Sequence, residues 1–421
     1  MKYCTAVLVL GGGLLAIAAI GQTLVKTQEN VPEKTGESCH VTPASAPAPA
    51  PNGMAGRKGS PMPAPSGSVA VRPGAVQAAV DSHGPNTSFR LAAGTYTDDP
   101  VAPKDGDRFF GEGQVTWDGG GTKSLAFRAA GTVGVLVSGI RFVHFNTPNQ
   151  GPGLFGLNNG ETGFTIEGCE VAESHGTPIV AGNGTRIINN SIHDNDWVGI
   201  GGYNITGALV ERNEIYRNYL AKLSPDTATG EASGIKFVKT REVTVRNNYV
   251  HDNFGVGVWF DGDNVGTLIE GNVISGNTYR GVMDEVSFGA IIRQNTITGN
   301  GRSSGWIGGA GILIATASGV EVCGNVVKGN AQGIVGFQQD RGAGSMGKFA
   351  TSHNHVHDNY ITMSEGITGF TGGAENDPTN VFYQNHYCLT NDAGFIWGNK
   401  TYSKGWQAAG QDLRGTFSCG F

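Results

Sequence analysis

A single phrase recurs through the middle of this chain: Asn, any residue, Ile or Val, and a second Asn five positions after the first. It reads N-S-I-H-D-N from Asn190, N-E-I-Y-R-N from Asn213, N-Y-V-H-D-N from Asn248, N-V-I-S-G-N from Asn272, N-T-I-T-G-N from Asn295 and N-V-V-K-G-N from Asn325. The leading asparagines are 23, 35, 24, 23 and 30 residues apart. Self-similarity at a period of about 20–50 residues specifies a solenoid, in which each repeat is buried only by its neighbours.

The type of solenoid follows from what fills the period. Three copies add Gly and an aliphatic nine and ten residues after the leading Asn: Gly199-Ile200, Gly257-Val258 and Gly281-Val282. Short β-branched runs ended by Gly or Asn lack the 3.6-residue period of a helical repeat, and helices tolerate little internal Gly. Each period therefore reads as three short strands and three turns. Stacked at about 4.8 Å, such rungs share a core of inward Ile and Val. A leucine-rich repeat would need Leu where these phrases carry Ile and Val, and a left-handed hexapeptide helix would need an 18-residue triangle. The expected fold is all-β: a right-handed parallel β-helix. Asparagines at the rung corners are expected to adopt left-handed geometry and to bond to the backbone of neighbouring rungs, a structural role.

Composition agrees. Gly makes up 68 of 421 residues, over twice the usual share of about 7%, as a chain that turns every few residues requires. A net charge of −6 with no Lys/Arg-rich run argues against nucleic acid as a partner. Residues 1–21 read as a secretory signal with Ala19 and Gly21 at the cleavage positions, or as an uncleaved anchor, the only expected membrane contact. Residues 22–67, rich in Pro and Ala, read as a linker, and 68–421 as the β-helix with its caps. A secreted, periplasmic or cell-surface location is expected. Cys388 and Cys419 could pair in an oxidising compartment, whereas Cys169 reads as a buried apolar residue. No spacing supports zinc, and H-N-H-V-H at His353–His357 is only a weak metal flag.

The open ends of a solenoid need covers. P-G-A-V-Q-A-A-V-D from Pro73 reads as a short amphipathic helix, followed by F-R-L-A-A-G-T-Y at Phe89–Tyr96 and F-F-G-E-G-Q-V-T-W-D-G-G-G at Phe109–Gly121. Aromatics in Phe395–Asp412 suit a plug for the last rung. In these segments the chain resembles the secreted, pectate-lyase-like right-handed β-helix superfamily over roughly residues 70–415. The resemblance implies the fold, but not an activity, because such proteins include lyases, hydrolases, epimerases and adhesins.

Aligned on the leading Asn, G-V-W-F-D from Gly257 lies one rung before G-V-M-D-E from Gly281. With Val258 and Val282 inward, alternation turns Trp259, Asp261, Met283 and Glu285 outward, and likewise Tyr203 and Lys236. Phe337 and Phe370 are expected in the same column. Aromatics around carboxylates and a Lys suit a polysaccharide, whose rings stack while its hydroxyls bond. Asp261, Glu285 and Lys236 are the candidate catalytic residues; Trp259, Tyr203, Phe337, Arg280 and Asp263 are candidate substrate contacts. Carboxylates one rung apart approach the separation of about 5–5.5 Å in a retaining glycosidase. No cofactor is required, although Asp261, Glu285 and Asp263 could instead hold Ca²⁺, or the pair could be bound by Lys236 or Arg280. Asp284 should turn inward, so either the strand ends there or Asp284 has a hydrogen-bonded partner. Insertions after Asn218 and Asn300, and one from Arg341, should rim the face. Glycoside hydrolysis is preferred, with polysaccharide elimination and non-catalytic glycan binding as alternatives.

Overall fold

The computed structural model describes residues 61–157, 163–220, 233–301, 308–403 and 405–419. The expected signal or anchor, most of the expected linker, and most of the insertions after Asn218 and Asn300 lie outside the described residues. Among the described residues no helix is long and apolar enough to cross a membrane.

Three parallel sheets wind around one core. A 13-stranded sheet runs from Val69–Val71 to Val381–Tyr383, and a second from Gly94–Tyr96 to Thr416–Phe417. The third has ten strands and starts later, at Ile179–Ala181. Strand pairing follows the repeat: Val258 lies beside Ile235 on one side and Val282 on the other. The inward columns, such as Ile200, Ile235, Val258, Val282, Ile312 and Ile334, are fully buried. The fold is the expected right-handed parallel β-helix.

The asparagines hold the period by hydrogen bonds from rung to rung. The Asn272 Oδ1 accepts from the backbone N and the Nδ2 of Asn248, at 2.9 and 3.0 Å. Its own Nδ2 donates to the Val245 carbonyl and to Asn295 Oδ1. Left-handed geometry falls one residue earlier than expected: Asn189, Arg212, Asn247 and Gly271 have positive φ, each just before a ladder Asn. The corner and the ladder are thus separate positions. The residue with φ > 0 turns the chain, and the next residue carries the amide that must point inward.

Both ends are closed as expected. Val76 and Val80 of the helix Val76–Ser82 are buried against the first rungs. At the other end Trp406 is buried against Phe382 and Phe395, with ring centroids 4.7 and 4.9 Å away. The Cys388–Cys419 disulfide ties the last strand down, and Cys169 is buried, its Sγ against the Val137 and Glu167 carbonyls. The residues at the end of the expected linker already touch the coil: the Met62 backbone N donates to Ser138 Oγ at 3.0 Å.

Candidate functional site

The outward face of the ten-stranded sheet carries two columns. Lys236 is in register with Gly201 and Trp259, whereas Asp261 is in register with Val238 and Glu285. Lys236 and Asp261 therefore belong to adjacent columns, and the long lysine stem bridges the diagonal. Its Nζ lies 3.1 Å from Asp261 Oδ2 and 3.6 Å from the centroid of the Trp259 ring. The lysine is only 5% exposed, so its ammonium has left bulk water for a carboxylate and an aromatic face.

Glu285, one strand on, is also buried. Burial and the neighbouring Asp261 charge raise its proton affinity, while Arg341 opposes them. The Arg341 guanidinium donates to Glu285 Oε1 at 2.7 Å. Arg341 begins the insertion expected to rim the face, which forms a hairpin pairing Ala343–Gly344 with Gly347–Lys348. Arg280 lies close enough to Glu285 to feel its charge, and burial lowers the guanidinium's proton affinity. Its Nε is buried without an acceptor.

A cleft of about 480 Å³ opens over the start of this sheet. Tyr203, Lys236 and Asp261 line it, together with Trp197, Thr177 and the Asn149–Gly151 segment. Tyr203 is 54% exposed, and its hydroxyl is 3.4 Å from Lys239 Nζ. Tyr203, Lys236 and Asp261 thus share one cavity, and Glu285 adjoins Asp261 in strand register without lining it.

The expected outward placement of Phe370 is overturned, and three candidate contacts, Trp259, Phe337 and Asp263, lie outside the cleft lining. Trp259 points out of the solenoid but is 6% exposed, because it packs in a second apolar cluster with Met283 and Leu313 beneath Lys236. Phe337 packs against that same cluster and lies outside the cleft lining. Phe370 is buried in the core: Val335 pairs with Gly369, so Phe370 falls in the inward column. Asp263 braces the hairpin, accepting from the Ser345 backbone N and Oγ at 2.9 and 2.8 Å, with Arg241 3.5 Å away.

Asp284 is the least expected group. It turns inward between Phe260 and Ile314, fully buried, and neither oxygen has a hydrogen-bond partner. The strand does not end before it. Burial, with a smaller push from Glu285, raises its pKa to about 7.

Of the histidine-rich segment, His357 alone joins a cluster of metal-ligating groups among the described residues. Ligand atoms of Glu321, Cys323 and His357 lie within 4.8 Å of one another, but Cys323 is disulfide-bonded and offers no thiolate. His357 is held by Asp358 at 2.7 Å and Glu321 at 3.2 Å. The rings of His193 and His251 stack on either side of Tyr216, with centroids 4.6 and 5.0 Å away.

Sequence reasoning missed Trp197 and gave Arg341 no role of its own. Trp197 had a signal: an aromatic follows the second ladder Asn by one or two residues in four rungs, as Trp197, Tyr219, Phe254 and Tyr279.

The architecture is a right-handed parallel β-helix, the fold that the sequence resemblance implies. A family model described as the right handed beta helix region matches residues 152–327. The A-module of mannuronan C-5 epimerase AlgE6 from Azotobacter vinelandii is similar in structure, with a TM-score of 0.58 and 20% identity, covering 82% of this chain and 95% of that one. The AlgE4 A-module from the same organism gives a TM-score of 0.51 at 19% identity, over 82% and 94% of the two chains. XylC, solved with xylose, gives 0.52 at 16% identity over 71% and 55%. No curated protein matches the chain in sequence. At these identities the likeness establishes the fold.

Proposed function

We propose that the protein is an extracytoplasmic, carbohydrate-active β-helix that binds a polysaccharide in the cleft over Lys236 and Asp261 and cleaves it by hydrolysis. One observation carries the chemistry: two carboxylates in register on consecutive strands, in contrasting surroundings. Glu285 is buried with raised proton affinity, which suits a general acid. Asp261 faces the cleft and is paired with Lys236, which suits a nucleophile or base. Tyr203 and Trp197 supply aromatic surface for sugar rings. The Cys388–Cys419 disulfide supports an oxidising compartment.

A second reading, elimination on a uronate-containing chain, is favoured by Arg341. With Lys236 and Arg280 it gives three cations around two carboxylates, so a polyanion would not be repelled. Calcium belongs to this reading only as an assistant, and Asp261 and Asp263 are already engaged by protein partners.

The test is incubation with neutral and uronate polysaccharides, with products resolved by mass. Hydrolysis adds water to the products, whereas elimination leaves an unsaturated end of lower mass. Binding without either product supports a glycan-binding module. Absence of both binding and products across the panel sinks the carbohydrate reading.

A further inference from the structure

The outward columns change character along the solenoid axis. In the first, Val180 and Gly201 are partly exposed, Lys236, Trp259 and Met283 are nearly covered, and Leu313 and Val335 are fully buried. In the second, Tyr203 is exposed and Asp261 partly so, but Glu285 and Ala315 are buried. Access to this face therefore ends between the Asp261 strand and the Ala310–Ala315 strand.

Tyr279 and Phe337 pack over the cluster of Trp259, Met283, Leu313 and Val335, outside the solenoid. Arg341 reaches back from its hairpin to Glu285 and bars the same edge. On the opposite side the lining reaches the Asn149–Gly151 segment. The strands between these limits, from Ile179–Ala181 to Val256–Asp261, cover three spacings of about 4.8 Å, or about 14 Å. The described lining ends at Asp261, and Glu285 with its Arg341 partner lies one strand beyond it. Among the described residues this lining does not run the length of the coil.

We infer that the site receives the end of a glycan chain, with the terminal sugar against the Glu285–Arg341 edge and the following units over Tyr203 and Trp197. This rests on the carbohydrate reading above and adds the mode of engagement to it. A chain bound through its middle would have to continue along the axis past Glu285, where Met283 and Leu313 are already covered. A terminal sugar needs room on one side only. An enzyme built this way releases units of fixed size from one end.

The test uses oligosaccharides made by partial hydrolysis of neutral polysaccharides and polyuronates, each presented free, blocked at the reducing end by reductive amination, blocked at the other end by an alkyl group, and blocked at both. Binding is read by calorimetry. The expected result is that one of the two single blocks costs at least about tenfold in affinity, a loss of about 1.4 kcal/mol. Affinity per molecule should also be independent of chain length once the pocket is filled. Equal binding of free and doubly blocked chains overturns the chain-end inference and leaves the carbohydrate reading intact. Binding of no oligosaccharide in the set overturns both.

Discussion

Lys236 and Asp261 meet on the diagonal between two columns of the ten-stranded sheet, Nζ to Oδ2 at 3.1 Å, with the Trp259 ring beneath the ammonium. Because the lysine is buried, the pair couples folding to function. Asp261→Asn keeps an acceptor oxygen for the ammonium and should fold, as should Glu285→Gln. Each is expected to cut turnover by at least about a hundredfold, the scale of lost acid–base help. Since the two carboxylates act as a unit, the double variant should lose little more than either single one. Asp261→Ala differs, because it strands a buried ammonium and should cost up to about 3 kcal/mol as well. Steady-state kinetics and denaturant unfolding separate the effects, and full turnover in both conservative variants would remove the pair from consideration.

Calcium dependence can be judged from the same carboxylates. Asp261 is paired with Lys236, Glu285 with Arg341, and Asp263 with Ser345 and Arg241. A cation at this face would have to displace these partners. Chelation is therefore expected to leave glycan binding and thermal stability unchanged. A fall in melting temperature on chelation that added calcium reverses would show a site the ion pairs do not reveal.

The fold was legible because its hydrogen bonds repeat in the sequence. An amide that accepts from the rung before and donates to the rung after must recur at the same place, so Asn190, Asn213, Asn248 and Asn272 are visible as a period. Ile or Val recurs two residues after each of these asparagines because that position faces the core. The site was only partly legible. Alternation found Tyr203, Lys236, Asp261 and Glu285, but not that Trp259 lies under Lys236. Loops have no period, so nothing tied Arg341 to a partner 56 positions away, and the aromatic column of Trp197 and Tyr219 lies outside the strands. Phe370 was misplaced because the long insertion before it hides the register, and a one-residue slip exchanges inside and outside.

The ladder makes its own prediction. Asn272→Asp places an acceptor where the Val245 carbonyl and Asn295 Oδ1 both need a donor. The repulsion and the buried charge should cost several kcal/mol, read as a large drop in denaturation midpoint. The far end of the ladder shows why Asp is tolerated there. Asp412 only accepts, from the Asn385 backbone N and Nδ2 and from the Tyr387 hydroxyl, and it faces no further rung. Asp412→Asn should cost less than Asn272→Asp, because it disturbs one end and not the middle. Equal losses would show that the ladder's polarity does not matter.

Asp284 should make stability fall as pH rises. Its folded pKa is about 7 against an ordinary value of 3.8, and burial is the main cause. Between these values the unfolded chain has released the proton that the native state still holds. The unfolded state thus binds fewer protons, and stability decreases with rising pH across this window. Its contribution is most favourable below about pH 4, is lost progressively through pH 7, and levels off above. The cost at pH 8 is a few kcal/mol at most, since each tenfold change in proton affinity is worth about 1.4 kcal/mol. Asp284→Val removes the group from between Phe260 and Ile314 and suits a strand interior. The variant should be more stable than the parent at pH 8 and should narrow or reverse that advantage at pH 4, as read by denaturant unfolding at the two pH values. A variant destabilised at pH 8 would mean that Asp284 has a partner in the folded protein, and that its carboxylate supports the core.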